Sequence, residues 1–254
     1  MKIAKLLVLG LIITFAACTK NSKENDDRIE FETFEYDLYT NQMVEDSDSA
    51  LWHKQCIAVL PVKIGDADIT ALKDTLLAMC NSQFDAEKRF TCMLDSTEKL
   101  LPLTPDDHDK ASFSNSSLFI KLITKNVIVW ENFSDEYFFG AAHGMYSSRF
   151  LNYSLEDHKI LTLNDIMKKG FEPELISLLR EKLSSNDNLL VSINEIGIPS
   201  QYYITPNGLT FVYALYEIGP YSAGEISVDF SSFELEEVLS EEGMELINNY
   251  FKYD

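Results

Sequence analysis

Alternation of apolar and polar side chains predicts strands along the first half of the chain. Residues 34–38 alternate apolar and acidic side chains, and residues 56–64 repeat the period of two that a half-buried strand requires. The apolar positions of the second segment that would share one face are Cys56, Ala58, Leu60, Val62 and Ile64. Residues 118–130 are rich in apolar and β-branched side chains, with Lys125-Asn126 as the predicted turn between two strands. Residues 104–117 lack such a pattern, which indicates a loop.

Strands continue in the second half of the chain. Residues 137–153 are predicted as a strand, a glycine-containing turn and a second strand. Residues 202–204 and 209–215 flank Thr-Pro-Asn-Gly, which is a strong hairpin signal. A last strand is predicted where three apolar side chains alternate with polar ones: Ile226, Val228 and Phe230.

Apolar spacings of three and four residues predict the helices. Asp68 is predicted to cap a helix over residues 69–79. Glu174–Leu183 is predicted as another helix, with Pro173 in its first turn. Helix is also predicted for part of the mixed segment that runs to Leu103, for Leu163–Met167 and for most of Phe233–Tyr250. Strands therefore occur in neighbouring pairs and do not alternate regularly with helices. This order predicts an α+β protein with antiparallel sheets and packed helices, and it disfavours a doubly wound fold.

A polar segment near the middle of the chain suggests how the domains are organised. Residues 131–136 are mostly acidic or polar and predict a break between strands. The sequence therefore predicts two consecutive small α+β domains, residues 31–133 and residues 134–254.

The N-terminus has a different pattern, which predicts export. Lys2 and Lys5 precede an apolar run that ends at Phe15, a length that suits a signal peptide and is too short to span a bilayer. Ala16-Ala17-Cys18 resembles the bacterial lipobox, although Phe15 stands where leucine is usual. This predicts a signal peptide over residues 1–17 and lipidation of Cys18; the alternative is an ordinary signal peptide that leaves Cys18 as a thiol.

The residues after Cys18 predict a tether and an extracytoplasmic location. Residues 19–30 contain one apolar residue, so residues 18–30 are predicted to be flexible. We expect the folded part to lie in the cell envelope, held by lipid to a bacterial membrane. The outer membrane is the favoured location, and the sequence does not distinguish its periplasmic side from its surface side.

Net charge restricts the partners. The chain carries 41 acidic and 21 basic residues, and loss of Lys2 and Lys5 with the signal peptide takes the net charge from −20 to −22. A field of that sign repels nucleic acid and anionic lipid, and it speeds the encounter with a basic partner. The alternative role of this charge is solubility.

The cysteines leave the redox state open. If Cys18 is lipidated, Cys56, Cys80 and Cys92 remain. This count is equally compatible with two states. In one, a disulfide forms and one thiol is buried, and Cys80–Cys92 is the closest pair in sequence. In the other, all three cysteines are reduced and buried. No cysteine spacing is typical of zinc ligation, so neither a metal site nor a cofactor is predicted.

Two clusters are candidate binding sites. Gly140-Ala-Ala-His143-Gly144 places a histidine between glycines that permit a tight backbone path, and the alternative is a turn histidine that bonds the backbone. In the segment Tyr213–Gly224, proline and glycine would hold tyrosines on a rigid loop after a strand, and the alternative is a strand end whose tyrosines cap the core. The candidate binding residues are Gly140, His143, Gly144, Tyr216, Pro220, Tyr221 and Gly224. Serine and zinc hydrolase motifs are absent from the sequence, so no catalytic residue is assigned and a non-enzyme is favoured.

The order of these clusters resembles the domain of unknown function in the extracellular part of RsiV-type anti-sigma factors, which also occurs beside peptidoglycan deacetylase domains. The family pattern is a Gly-Gly-Ala-His-Gly turn and a late Tyr-x-Ile-x-Pro-Tyr-x-x-Gly loop, and the similarity covers about residues 136–240. Ala141 replaces the second glycine of that turn.

The resemblance implies a two-part α+β fold and a binding role, since RsiV-type ectodomains bind lysozyme. Our first hypothesis is a non-catalytic envelope lipoprotein that recognises lysozyme, another basic protein or wall glycan such as peptidoglycan. The alternatives are a structural envelope lipoprotein and a glycan-acting hydrolase that uses His143.

Overall fold

The computed structural model describes residues 28–42, 50–80 and 112–248. The predicted signal peptide, Cys18, Cys92 and the mixed segment from residue 81 to Leu103 lie outside these residues. The elements are β1 Ile29–Gln42, β2 Ala50–Ile64, α1 Thr70–Cys80, β3 Ser112–Ile123, β4 Val127–Tyr137, β5 Met145–Ser154, β6 Lys159–Leu161, α2 Leu163–Ile166, α3 Glu172–Leu183, β7 Gln201–Thr205, β8 Gly208–Tyr213, β9 Ile226–Ser231 and α4 Glu241–Asn248. Short 3₁₀ helices occupy Ile193–Glu195 and Tyr221–Ala223.

The strands of the described residues form two sheets. One has the order β1-β2-β3-β4-β5-β6 and the other the order β7-β8-β9. Antiparallel pairing dominates, which confirms the predicted α+β class. The exception is β2 with β3, which run parallel from Trp52 opposite Ser112 to Ala58 opposite Leu118. A parallel pair needs a long crossover connection, and α1 lies in the connection between these two strands.

The chain divides into two compact units. Among the described residues, the first comprises those up to Phe119 and Asn132–Tyr146, and the second comprises Ile120–Glu131 and those from Ser147 onward. The expected boundary between residues 133 and 134 falls inside β4. The bounds of the units fall within β3, β4 and β5, so each of these strands contributes residues to both units.

Two polar segments that we expected to be irregular are strand. Residues 112–117 belong to β3 and residues 131–136 belong to β4, so the predicted loop and the predicted break were wrong there. Side-chain hydrogen bonds between the strands are the physical reason: Ser116 to Asn132 (2.8 Å), Asn115 to Asp135 (3.1 Å) and Ser114 to Glu136 (3.4 Å). Polar side chains that bond one another across two strands can occupy a sheet without an apolar alternation.

A β-bulge explains an error on β2. The predicted apolar face is buried at Cys56, Ala58, Leu60 and Ile64, but Val62 is 48% exposed. Glu30 pairs with Lys63 and Phe31 pairs with Pro61, which leaves Val62 as an extra residue in the ladder. The bulge turns its side chain outward. The same pairing extends β1 back to Ile29, within the segment that we predicted as tether.

Helix α1 forms as its sequence pattern predicts. Asp68 accepts a hydrogen bond from the Thr70 N–H at 3.0 Å, while Leu72 and Leu76 are buried. The hydrogen bonds from the Thr70 hydroxyl and N–H lower the pKa of the Asp68 carboxyl. At the other end of the helix, the Met79 carbonyl accepts a hydrogen bond from Asn132 Nδ2 at 2.9 Å, which joins α1 to β4.

The core of the second unit is built around β8. All six residues of this strand are buried. The apolar side chains packed with it include Leu175, Leu179 and Leu183 of α3, Leu161 and Ile166, and Ile226, Val228 and Phe230 of β9. A capping box begins α2: the Thr162 N–H and hydroxyl donate to Asp165 Oδ2 at 2.8 and 2.6 Å, which holds the Asp165 pKa at about 2.

The C-terminal segment is less helical than predicted. Residues 232–238 form turns, and α4 begins at Glu241. The reason is tertiary, because Leu239 is paired as a β-bridge with Met167 and the Ser240 N–H donates to the Ile166 carbonyl. An extended bridge at Leu239 prevents the helix from starting earlier. None of the described helices is long and apolar enough to span a membrane.

Replacement of Gly208 should destabilise the second unit. A Cβ at this position would lie 1.9 Å from the Phe230 carbonyl oxygen, so β8 and β9 would have to separate. We expect Gly208→Ala to lower the free energy of unfolding by about 1–3 kcal/mol. Gly197→Ala is the matched control, because nothing lies within 4 Å of its added methyl group. Urea denaturation measures both; an equal effect in the two variants would contradict this packing.

Candidate functional site

The turn between β4 and β5, residues 138–144, is called the histidine turn and lies in the first unit. The Ala141 N–H donates to the Phe138 carbonyl at 2.9 Å, and Gly140 has a φ of 86°. A bond between the first and fourth residues with positive φ at the third describes a type II turn. Glycine at position 140 supplies the conformation that this turn requires.

Gly144 and His143 close the histidine turn. A Cβ at Gly144 would lie 2.7 Å from the Glu136 carbonyl oxygen, so the backbone approaches β4 more closely than other residues permit. His143 is exposed, and its Nδ1 lies 2.9 Å from its neighbour's carbonyl oxygen, that of Gly144. Since a carbonyl only accepts, Nδ1 carries the proton in this arrangement. This contact fits the turn-histidine interpretation of the cluster.

Two aromatic residues of the histidine turn escaped the sequence analysis. Phe138 and Phe139 are 57% and 58% exposed. The Phe139 N–H donates to Ser112 Oγ at 3.0 Å, which fixes the backbone beneath these rings. The available signal was a pair of consecutive aromatics directly before Gly140, where a strand alternation cannot bury both.

The second candidate cluster, residues 214–225, joins β8 to β9 in the second unit and is called the tyrosine loop. Its two ends are fixed by the paired residues Tyr213 and Ile226. Tyr213 is buried and donates its hydroxyl to the Gly197 carbonyl at 2.7 Å, and burial raises the pKa of this phenol. The interpretation that tyrosines here cap the core therefore applies to Tyr213, which precedes the loop.

Tyr216 is held in an unfavourable backbone conformation. The Ala214 N–H donates to Glu217 Oε2 at 2.8 Å, and the Glu217 N–H donates to the Ala214 carbonyl at 3.1 Å. Within this turn Tyr216 has a φ of 65°, a conformation that favours glycine or asparagine. A bulky residue there costs about 1–2 kcal/mol.

The strained residue presents its ring to solvent. Tyr216 is 53% exposed, and its ring centroid lies 5.8 Å from that of Tyr221, with the planes tilted by 34°. Tyr221 begins a 3₁₀ helix directly after Pro220. Two aromatic rings in contact on a short rigid loop offer apolar contact area at a small cost in conformational entropy.

Close packing and special backbone angles hold the tyrosine loop. A Cβ at Gly219 would lie 2.7 Å from Ile226 Cδ1, and the neighbouring Ile218 is buried with its carbonyl bonded to the Leu190 N–H. Gly224 has φ 71° and ψ −161°, a region that essentially glycine alone adopts. The loop therefore cannot exchange these two glycines for other residues without moving.

A carboxylate clamps the end of the tyrosine loop to β5. Glu225 accepts hydrogen bonds from the Ser148 N–H and Ser148 Oγ, both at 2.7 Å. Both oxygens of the carboxylate are used, and hydrogen bonds to an ionised group are stronger than neutral ones. Sequence reasoning missed Glu225, because a partner 77 positions away leaves no local signal.

The structure thus places the predicted residues in two sets. Gly140, His143 and Gly144 lie in the first unit, whereas Tyr216, Pro220, Tyr221 and Gly224 lie in the second. In each set the glycines shape a turn that presents exposed aromatic rings. Residues 28–42, 50–80 and 112–248 contain no group of three or more His, Cys, Asp or Glu side chains that could hold a metal ion.

The described fold belongs to the α+β class, with one six-stranded and one three-stranded sheet. Residues 164–232 match the family model described as "Protein of unknown function (DUF3298)". This match confirms a domain of unknown function inside the stretch where the resemblance predicted one. It includes the tyrosine loop and ends before α4, while the histidine turn lies outside it.

Two crystal structures are similar in fold to most of this chain. A member of the DUF3298 family from Bacteroides fragilis NCTC 9343 has 21% identity and a TM-score of 0.67, covering 89% of this chain and 100% of that one. A DUF3298 family protein from Pseudomonas aeruginosa PAO1 has 17% identity and a TM-score of 0.56, covering 86% and 97%. At these identities the similarity concerns the fold alone. No curated protein matches the sequence.

Replacing Tyr216 with glycine should not destabilise the fold. Glycine adopts a φ of 65° without strain, so we expect Tyr216→Gly to raise the free energy of unfolding by up to about 1 kcal/mol. His158→Gly is the control, because His158 has a φ of 52° in the turn between β5 and β6. Denaturant unfolding of both variants provides the comparison. If only Tyr216→Gly lowered the free energy of unfolding, the contact between Tyr216 and Tyr221 would be needed for the stability of the fold.

Proposed function

We propose that this chain is a non-catalytic binding protein of the bacterial cell envelope, anchored by lipid at Cys18, that recognises a basic protein such as lysozyme through the tyrosine loop. The observation that carries the proposal is the contact of exposed Tyr216 with half-buried Tyr221 on a backbone that is strained at Tyr216. Strained backbone that the surrounding structure holds in place is concentrated at active sites and ligand-contact sites.

Charge supports a basic partner. The net charge of −20 for the whole chain becomes −22 without the signal peptide. Within the second unit, the segment after the last strand exposes the carboxylates of Glu236, Glu237, Glu241, Glu242 and Glu245. A negative field of this kind accelerates the approach of a positively charged protein and repels anionic polymers.

The resemblance to RsiV-type ectodomains supports lysozyme as the partner to test first. The two sequence clusters occur in the same order as in those ectodomains, which bind lysozyme. In this chain, His143 Nδ1 is directed at the Gly144 carbonyl, which supports a structural role over that of a general base in glycan hydrolysis.

Lysozyme binding should depend on Tyr216. In a titration calorimeter, we expect the full chain to bind lysozyme at low salt and to bind it more weakly as salt rises, because salt screens the attraction. Tyr216→Ala should weaken the affinity about tenfold or more, as loss of an aromatic anchor does.

The matched control for this titration is Phe233→Ala. Phe233 is 80% exposed in the same unit but lies outside the tyrosine loop, so its removal should leave the affinity within about twofold. Absence of heat with lysozyme at tens of micromolar protein would reject lysozyme as the partner. Sedimentation of the chain with peptidoglycan instead would favour the wall glycan.

The lipid anchor has its own test. Expressed with its N-terminus intact, the chain should partition into the detergent phase of a phase-separating detergent, and Cys18→Ser should move it to the aqueous phase. Two or more acyl chains give stable membrane attachment, whereas a free thiol gives none. Mass spectrometry of the N-terminal peptide is decisive, since an unmodified Cys18 there would favour an ordinary signal peptide.

A further inference from the structure

Two cysteines that are distant in sequence meet in the first unit. Cys56 lies in the middle of β2 and is buried, with 3% of its surface exposed. Cys80 is the last residue of α1 and is partly exposed. Neither forms a disulfide in this structure, and the Cys80 side chain is a hydrogen-bond partner of the Cys56 thiol.

A chain of contacts fixes this meeting. Cys56 is paired in register with Ser116 on the neighbouring strand. Ser116 Oγ donates to Asn132 Oδ1 at 2.8 Å, and Asn132 Nδ2 donates to the Met79 carbonyl at 2.9 Å. These bonds hold Met79, the residue before Cys80, against the sheet beside the strand that carries Cys56. The contact between the two cysteines is therefore supported by the packing of the unit.

We propose that Cys56 and Cys80 are a redox-active pair that forms an intramolecular disulfide by exchange with an external disulfide. Rotation of the side chains to bring the sulfurs to about 2.05 Å would convert the contact into a bond. The hydrogen bond with Cys80 lowers the pKa of the Cys56 thiol against the effect of burial. A larger thiolate fraction favours this chemistry.

Accessibility sets the order of the steps. The thiolate of partly exposed Cys80 attacks one sulfur of the external disulfide and releases one thiolate, which leaves a mixed disulfide on Cys80. The thiolate of buried Cys56 then attacks Cys80 Sγ and expels the second thiolate. In total the pair loses two protons and two electrons, and one external disulfide becomes two thiols. The contacts between the two cysteines lie within the first unit, so disulfide formation does not depend on lysozyme binding.

The test uses the full chain with Cys18→Ser, which leaves Cys56, Cys80 and Cys92 as the only thiols. After equilibration with a mixture of oxidised and reduced glutathione, free thiols are alkylated and the peptides are mapped by mass spectrometry. We expect one disulfide that links the Cys56 peptide to the Cys80 peptide, with Cys92 alkylated. Three alkylated cysteines, or a bond that includes Cys92, would overturn the proposal.

Thermal unfolding supplies a second measurement. Oxidation should raise the unfolding midpoint of the first unit by about 5 °C or more, because the bond closes a loop of the unfolded chain, and dithiothreitol should reverse the rise. Cys92→Ser should keep this shift, whereas Cys80→Ser, a change at a partly exposed position, should abolish it. A shift that survives in Cys80→Ser would also contradict the pairing.

Discussion

The close antiparallel pairing of β8 with β9 is the constraint on which the candidate binding surface depends. Gly208 lies directly against the Phe230 carbonyl, and at the other end of the ladder Tyr213 is paired with Ile226. Because β8 is buried along its whole length, its position is set by the core of the second unit. The tyrosine loop begins and ends at this rigid pair, so its backbone has little freedom to relieve strain.

Strain in the tyrosine loop is balanced by bonds on either side of it. Glu225 clamps one end to Ser148, and the turn around Tyr216 is closed by Ala214 and Glu217. Such over-determination lets a tyrosine persist at positive φ while its ring remains in solvent. A surface that is held in place before a partner arrives loses less entropy on binding.

The first unit relies on a different interaction. Polar side chains of β3 and β4 bond one another across the sheet, and Asn132 extends this set to the end of α1. In a low-dielectric interior such bonds are directional, and each unsatisfied group would be costly. The same set that makes a polar segment into a strand also brings Cys80 to Cys56, so the fold of this unit and its redox chemistry share one cause.

By itself, the sequence determined the elements whose residues interact locally. Period-two alternation located β9, the Thr-Pro-Asn-Gly turn located the β7–β8 hairpin, and the capping Asp68 located α1. Both candidate turns were found from their glycines, since positive φ and close backbone approach restrict the residue type.

Only the tertiary structure decided the features that depend on distant partners. These are the outward-facing Val62 at a bulge, the polar halves of β3 and β4, the late start of α4, the clamp by Glu225 and the pairing of Cys56 with Cys80. Each arises from a contact between segments that are far apart in sequence, and hydrophobic periodicity cannot predict such contacts. The local pattern specifies what a segment can form, and packing selects what it meets.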